Sequence, residues 1–497
     1  MKLLGLRLCT HDSNISYFDG TNLHYYKSER KHGIKHHAYN NLWQWQKEIK
    51  DLWNVDYNEI DEIAIIIDSQ VHKLPLDNED FFPAVDYNYL PVRNKVVRVN
   101  HHYAHALSCF PITTKTPKVD IVIDGYGDYN ISWTVFKDRK LIKKGLITEV
   151  GSIGKGMNRA GAYLGVQSEH DDDYAGKVMG LQSYGTINND FLKHLERYDM
   201  NSINKIFDIG EWFDFHGDHL VGNLKPLDWI KTVHQRIDDL LVSFVSEYAN
   251  DDDVISYSGG VAQNVIWNTT LRNKFKNLVI PPHCADEGLS LGAIEYLRIK
   301  NKLKPFKLDN FPYCQTDERP DGFVEDTTIE KVAQYLKDGK IVAWYQGNGE
   351  IGPRALGHRS LLMNPTIPDA KLKVNKIKKR EVYRPFGCSI LEEHQKEYFG
   401  TDIHNPHMLY VGNTTKYNLK SITHIDGTCR FQSVTPTDGP FYKLLKSFYD
   451  ITNCPVLLNT SFNINGKPIL GNTNDTKSFY ENSDIDVLVI GNKIYTK

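Results

Sequence analysis

A short apolar run, Ile341 to Tyr345, opens into closely spaced glycines: Gln346-Gly-Asn-Gly-Glu-Ile-Gly-Pro-Arg-Ala-Leu-Gly-His-Arg-Ser360. The run predicts a buried strand leading into a turn. Glycine lacks a Cβ, so backbone N–H groups here can turn towards a ligand. Arg354 and Arg359 lie inside the turn, and Lys378, Lys379, Arg380 and Arg384 follow in Lys378-Lys-Arg-Glu-Val-Tyr-Arg-Pro-Phe386. Fixed guanidinium forks beside bare backbone donors suit a phosphate or a carboxylate. Charged residues ordinarily face solvent. These sit among glycine, proline and apolar residues, which points to an anion pocket.

Three other strand-to-turn units recur earlier. Lys2–Cys9 and Ile15–Tyr17 read as strands around a tip holding His11-Asp-Ser13. Val119–Asp124 ends in Asp124-Gly-Tyr-Gly-Asp128, and Val254–Ser256 ends in Ser258-Gly-Gly-Val-Ala-Gln-Asn264, which opens a helix. Backbone donors at a helix N-terminus favour phosphate, although each of these turns also reads as an ordinary polar turn. Together they predict a duplicated α/β domain with phosphate loops. Gly151–Gly165 reads as a Gly-rich loop running into a helix, and Lys27–Lys50, basic with Trp43 and Trp45, reads as helical.

The segment Asn100-His-His-Tyr-Ala-His-Ala-Leu-Ser-Cys-Phe110 follows a strand and has helical character. His101 and His105 stand at i and i+4, so they share one face. That spacing is a metal-ligand pair, or else two polar histidines on a capped helix. Asp286 sits at the carboxyl end of the strand Leu278–Pro282, where such sheets bind ligands. It is a candidate third ligand or a helix N-cap. A carboxylate there would suit Fe, Mn or Zn.

With 497 residues, two domains are expected, here 1–310 and 325–497 around a polar, Pro-containing linker. A net charge of -3 argues against bulk electrostatic binding of nucleic acid, though not against a local basic groove. The seven cysteines form no CxxC pair, which suggests reduced thiols in a cytoplasm. The apolar runs are too short to span a membrane, and the N-terminus lacks a signal-peptide cleavage pattern. Abundant Asn, Lys, Ile and Tyr hint at an AT-rich bacterial or viral genome.

Ten segments in order carry a resemblance: His11-Asp-Ser13, HHYAHA, DGYG, KVMGLxxYG, SGGVAQN, DEGLSLGA, GPRALGHRS, REVYRPF, RFQSV and NTSFN. Together they resemble the O-carbamoyltransferases that carbamoylate nodulation factors, cephamycin and tobramycin, over essentially the whole chain. The resemblance implies a duplicated actin-like ATPase fold, of the tRNA threonylcarbamoyl transferase type, followed by a YrdC-like α/β domain. It implies that the C-terminal domain takes carbamoyl phosphate and ATP with Mg²⁺ and makes a carbamoyl adenylate. The N-terminal domain then transfers the carbamoyl group to an acceptor hydroxyl.

Carried over residue by residue, His101, His105 and Asp286 match the metal triad, iron in that family. Arg354, Lys378, Arg384, Arg430, Asn459 and Ser461 match the carbamoyl phosphate pocket. Asp124, Gly125, Gly127, Lys177, Gly180, Ser258, Gly259, Gly260 and Asn264 match the nucleotide loops. His11 matches a histidine near the transferred group and reads as a general base, with Asp12 beside it. One departure stands out: Tyr174 and Ala175 precede the KVMGL segment where the family usually has a glutamate, with the acids earlier, at Asp171–Asp173. The acceptor is a sugar or antibiotic hydroxyl, or a hydroxymethylated pyrimidine of viral DNA, which Lys27–Lys35 with Trp43 and Trp45 would engage by charge and stacking. The chain is compatible with a homodimer. Two other functions fit parts of the pattern: threonylcarbamoyl-adenosine synthesis on tRNA, and a non-catalytic actin-like nucleotide sensor.

Overall fold

The computed structural model describes every residue except Cys9, Asn40, Leu42, 68–80, Pro91, Pro111, Ile112, Thr114, 209–223, Lys307, Asp309 and Phe323, and the side chain of Tyr417. Cys9, the expected end of the first strand, therefore lies outside the described residues. The chain divides into two compact units, Met1–Cys9 with Asn58–Phe306 and Thr10–Tyr57 with Lys307–Lys497. The first strand, β1, spans Leu3–Leu8. Thr10–Tyr57 supplies the hairpin β2 (Asn14–Phe18) and β3 (Leu23–Lys27) and the short helix α1 (Ser28–His32). This segment packs with the C-terminal residues because Gln315 is stitched to it. Thr316 N–H donates to the Tyr25 carbonyl at 2.8 Å, and Lys27 N–H donates to Gln315 Oε1 at 3.0 Å.

In the first unit, β1 lies parallel to β4 (Glu62–Ile67), which lies parallel to β6 (Lys95–Val99). The short β5 (Ala84–Asp86) runs antiparallel at the edge. Both β1 and β4 are buried along their whole length. That explains their near-continuous apolar sequences, since a parallel strand is covered on both faces. A second sheet is ordered β11–β10–β7–β8–β9, with β7 at Val119–Ile123, β8 at Ile131–Lys137, β9 at Lys140–Leu146, β10 at Ile255–Ser258 and β11 at Leu278–Val279. Here β7, β10 and β11 are parallel and β8–β9 form the antiparallel meander. In chain order each half runs one strand, an antiparallel hairpin, then strands parallel to the first. This is the duplicated topology of the actin-like ATPase fold.

The helices bring the chemistry to the strand ends. Helix α2 (His101–Ser108) starts directly after β6, capped by the Asn100 side chain, which accepts from Tyr103 N–H. The stretch Gly151–Gly165, expected as a Gly-rich loop running into a helix, is helical already from Ile153 to Tyr163 (α3), capped by Ser152. Its glycines lie inside the helix, where packing overrides their weak propensity. Helix α4 is Val265–Lys274 and α5 is Leu289–Lys300. A Cβ at Gly292 of α5 would lie 1.8 Å from the Ala104 carbonyl, so only glycine lets α5 cross α2 this closely.

The second unit carries an eight-stranded mixed sheet: β12 (Val342–Tyr345), β13 (Arg359–Met363), β14 (Gly387–Leu391), β15 (Val411–Asn413), β16 (Thr428–Val434), β17 (Val456–Ser461), β18 (Val487–Ile490) and β19 (Lys493–Thr496). Its order is β15–β16–β14–β17–β13–β12–β18–β19, and helix α6 (Ala370–Lys378) precedes β14. The expected helix over Lys27–Lys50 is broken. It forms only as α1 and at Gln44–Trp53, because Gly33 takes a left-handed conformation (φ 65°) and ends the first piece. Among the described residues no helix is long and apolar enough to cross a membrane.

Candidate metal centre and anion pocket

In the first unit four side chains converge: His101 and His105 from α2, Asp124 from the end of β7, and Asp286 from the turn before α5. Their ligand atoms all lie within 4.8 Å of one another, and all four residues are buried. His101 Nε2 is 3.2 Å from Asp124 Oδ2 and 3.5 Å from Asp286 Oδ1, while His105 Nε2 is 3.4 Å from Asp286 Oδ1. The two Nε2 atoms face each other at 3.1 Å. Two imidazole lone pairs and two carboxylates aimed at one point form an N/O donor set that fits a divalent transition metal.

The electrostatics agree. Burial opposes charge on His101, but Asp286 and Asp124 outweigh it and push its pKa up to about 10. Burial would raise Asp124, yet His101 and His105 hold its carboxyl well below the usual carboxylate range. The cluster therefore draws positive charge inward, whether protons or a metal. His102, between the two ligands in sequence, faces away: its Nε2–H donates to the Ile131 carbonyl at 3.0 Å. Burial, then His101, lowers it to about 3, so it is a neutral core histidine.

Supporting contacts fix the donors. Arg7 of β1 pairs with Asp286 at 3.0 Å, and Gly260 N–H donates to Asp124 Oδ1 at 2.8 Å. Ser258 Oγ donates to the His105 carbonyl at 3.0 Å, and Asp128 receives His101 N–H at 2.9 Å while pairing with Arg98. The Asp124–Gly127 and Ser258–Gly260 loops thus meet at the cluster. Ser152 Oγ, which caps α3, donates to the Gly125 carbonyl at 2.6 Å, and Gly127 N–H donates to the Ile131 carbonyl at 2.8 Å. Asn264 is the N-cap of α4, its oxygen accepting from Ile266 and Trp267. Lys177, in the helix Tyr174–Leu181 that also holds Gly180, is buried and donates to the Gln167 carbonyl.

In the second unit most of the basic residues of the pattern lie near one another; Lys379, exposed at the left-handed C-cap of α6, and Arg359 stand apart. Burial lowers Arg430 well below its ordinary value, and Arg354 and Arg384 add to this. Burial also lowers Arg380, with Arg384, Arg430 and Arg354 among its neighbours, and Lys378, with Arg380, Arg384 and Lys35 beside it. Such mutual repulsion is what an anion would relieve. Arg430 lies across the backbone of Gly387, where a Cβ would come within 3.3 Å of its Nε. Gly387 is the register partner of Asn459 on β17. Asn459 Nδ2 donates to the Ala355 carbonyl at 3.2 Å and to Ser389 Oγ at 2.9 Å, which leaves Oδ1 buried with no hydrogen-bond partner among the described residues. Lys378 Nζ clamps the end of β17, donating to the Ser461 carbonyl at 2.6 Å, to Ser461 Oγ at 3.2 Å and to the Asn463 carbonyl at 2.7 Å.

Arg359 has other partners. It is wholly buried, pairs with Asp317 at 3.0 Å, lies 3.6 Å over the Tyr345 ring and donates to the Glu318 and Gly347 carbonyls. It is a structural arginine. Trp45 is likewise buried, edge-on to Tyr57, so it cannot stack on a base, and Lys27 is buried against Asp12 at 3.0 Å. Of the two tryptophans Trp43 is exposed, at 43%.

His11 and Asp12 belong to the second unit. Asp12, with φ of 53°, receives His11 Nδ1 at 3.0 Å and His36 Nδ1 at 2.9 Å. Burial would raise its carboxyl, but Lys27, His11 and His36 hold it well below the usual range. Sequence reasoning left His36 and Arg7 without roles, and it placed Asp124 among the nucleotide contacts. Only the three-dimensional approach of β7 to α2 brings Asp124 into the cluster with His101, His105 and Asp286.

Two family models match this chain in order, carbamoyltransferase N-terminus over residues 89–295 and carbamoyltransferase C-terminus over residues 333–497. The nodulation protein NolNO of Sinorhizobium fredii is 29% identical over 81% of this chain and 64% of its own length. The 3'-hydroxymethylcephem-O-carbamoyltransferase of Streptomyces clavuligerus is 33% identical over 48% of this chain and 48% of its own length. Among solved structures, HypF of T. kodakarensis is 13% identical with a TM-score of 0.39, covering 61% of this chain and 48% of that one. With both halves of one family matched in order and a named O-carbamoyltransferase among its relatives, the chain belongs to the carbamoyltransferase family.

Proposed function

We propose that this enzyme moves the carbamoyl group of carbamoyl phosphate, through a carbamoyl adenylate made with ATP, onto an acceptor hydroxyl. The observation that carries this reading is the basic pocket of the second unit. Arg354, Arg384 and Arg430 supply charge-assisted donors for a phosphate. The orphaned Asn459 Oδ1 supplies an acceptor for the amide N–H of a carbamoyl group, which an inorganic phosphate lacks. Lys378 and Ser461 shape the wall.

In the first step water attacks the carbonyl carbon of carbamoyl phosphate, the C–O bond to the phosphate breaks, phosphate leaves with the protons of the water, and carbamate remains. The carbamate oxygen then attacks the α-phosphorus of ATP, and pyrophosphate departs. Adenylation gives the carbamoyl carbon a good leaving group. In the transfer step the acceptor oxygen attacks that carbon, AMP leaves, and the hydroxyl proton goes to a base. His11, oriented through Nδ1 by Asp12, is our candidate base. A divalent ion, Fe²⁺ by donor type, held by His101, His105, Asp124 and Asp286, would supply Lewis-acid polarisation of the carbonyl. Arg7 and Gly260 N–H hold the two carboxylates in place for it. Mg²⁺ would accompany ATP, with the Asp124–Gly127 and Ser258–Gly260 loops taking nucleotide phosphates. We assign activation to the C-terminal domain, 325–497, and transfer to 1–310.

For the acceptor we favour a small molecule bearing a hydroxymethyl group. The DNA alternative loses Trp45 and Lys27, both buried. Incubation with carbamoyl phosphate, ATP and Mg²⁺ but no acceptor tests the activating half. Carbamoyl adenylate and pyrophosphate are expected by mass spectrometry. Pyrophosphate that instead requires L-threonine and bicarbonate would replace this reading with the threonylcarbamoyl one.

A further inference from the structure

The loop that carries Arg354 is held by a ring of side chains, two of which have no assigned role. Glu350 is wholly buried, and its Oε1 accepts the N–H groups of Leu356 at 2.8 Å, His358 at 2.9 Å and Arg359 at 3.1 Å. Arg30 of α1 donates through Nη2 to the carbonyls of Glu350 at 3.3 Å and Gly352 at 3.1 Å. On the far side the Leu356 carbonyl receives Gln432 Nε2 and Tyr313 OH, each at 2.9 Å. Arg354 therefore stands between two fixed points, Gly352 and Leu356. Burial would raise the Glu350 carboxyl, but His358, Arg359, the Leu356 N–H and Arg30 keep it low. It is an ionised acceptor buried inside a turn of backbone donors.

This inference rests on the reading of Arg354 as a ligand of carbamoyl phosphate. We propose that Glu350 and Arg30 are positioning residues for Arg354: they lock the backbone on either side of it and set the affinity for carbamoyl phosphate without touching it. A guanidinium on a loop pinned at both ends needs no reordering when the anion arrives. Arg30 matters doubly, because it joins the Thr10–Tyr57 segment to this loop within the second unit.

The test uses the full-length protein and the acceptor-free release of pyrophosphate. KM is measured separately for carbamoyl phosphate and for ATP, with thermal stability alongside. Arg30→Met and Glu350→Ala are expected to raise KM for carbamoyl phosphate by about tenfold or more, since ångström-scale misplacement of a binding group is that damaging. KM for ATP should stay within about twofold, since only the anion-binding arginine is disturbed. Arg30→Lys and Glu350→Gln, which keep a donor and an acceptor, should recover much of the loss. In the double variant Arg30→Met/Arg354→Ala, Arg30→Met should add nothing to the effect of Arg354→Ala alone, because it acts through Arg354. If Glu350→Ala does not fold, Arg30→Met and Glu350→Gln carry the test. The proposal is overturned if Arg30→Met lowers stability while leaving KM for carbamoyl phosphate unchanged, or if its effect multiplies with that of Arg354→Ala. If Arg354→Ala itself leaves that KM unchanged, the reading of the pocket fails, and the positioning proposal falls with it.

Discussion

The two sites are electrostatic opposites built by the same device. In the first unit two imidazoles and two carboxylates converge with Arg7 as the nearby cation. In the second unit four arginines and a lysine converge, and Glu381, 3.4 Å from Arg384, is the carboxylate paired among them. The second arrangement gathers like charges out of water, whereas in the first the imidazoles and carboxylates offset one another. On the function proposed above, the first would take a metal and the second a phosphate-bearing substrate. On that proposal the chain separates its chemistry by charge, with activation assigned to the basic pocket and transfer to the His/Asp cluster.

Removing a metal ligand should have the largest effect. His105→Ala is expected to reduce carbamoyl transfer on the order of a thousandfold, the scale of losing preorganised electrostatic stabilisation at a carbonyl. Bound metal, read by elemental analysis of the purified protein, should fall with it. Retention of metal and activity would remove the cationic half of the comparison.

Arg359→Ala should come next, in stability rather than in substrate binding. It leaves Asp317 buried without its partner at 3.0 Å, and breaking such a buried pair costs about 3 kcal/mol. Chemical denaturation measures this. A normal stability with a raised KM for carbamoyl phosphate would return Arg359 to the anion pocket.

Arg430→Ala should cost about 2 kcal/mol in carbamoyl phosphate binding, the worth of one charged hydrogen bond. That is a rise of roughly thirtyfold in KM, with metal content unchanged. Loss of metal in this variant would mean that the two sites are not separable.

The smallest effect appears only in acid. His283, buried with Nε2–H donating to the Ser108 carbonyl at 3.1 Å, is held down to about 4 mainly by burial. Its unfolded value is about 6.5, so the unfolded chain binds more protons in between. Stability from the neutral ring is complete above the unfolded value and is lost as pH falls towards the folded one. His283→Gln should flatten the decline in melting temperature from pH ~6.5 to ~4, the window set by those two values. An unchanged slope would assign the acid sensitivity elsewhere.

Local spacing made some of this legible. The i, i+4 rule picked His101 and His105 out of three histidines and left His102 to the core, as its bonds to Ile131 and Thr134 require. The strand-end rule found Asp286. It could not find Asp124 beside the two imidazoles, because a DGxG turn looks the same whether its acid faces a phosphate or two imidazoles. Likewise the arginines of the glycine-rich stretch are indistinguishable by type. Only burial against Tyr345 and Asp317 separates Arg359 from Arg354. The expected helix over Lys27–Lys50 failed at Gly33 and again at His36, both left-handed, which outweighed the surrounding pattern. Glu350 was hidden for a different reason: its partners are backbone N–H groups, which leave no mark in side-chain sequence.

The most direct test of the separation is carbamoyl-phosphate-dependent pyrophosphate release without acceptor, compared in His105→Ala and Arg430→Ala. The account predicts that His105→Ala keeps adenylate formation while losing transfer, and that Arg430→Ala loses adenylate formation at low carbamoyl phosphate. Equal loss in both variants, or loss in His105→Ala alone, would contradict it.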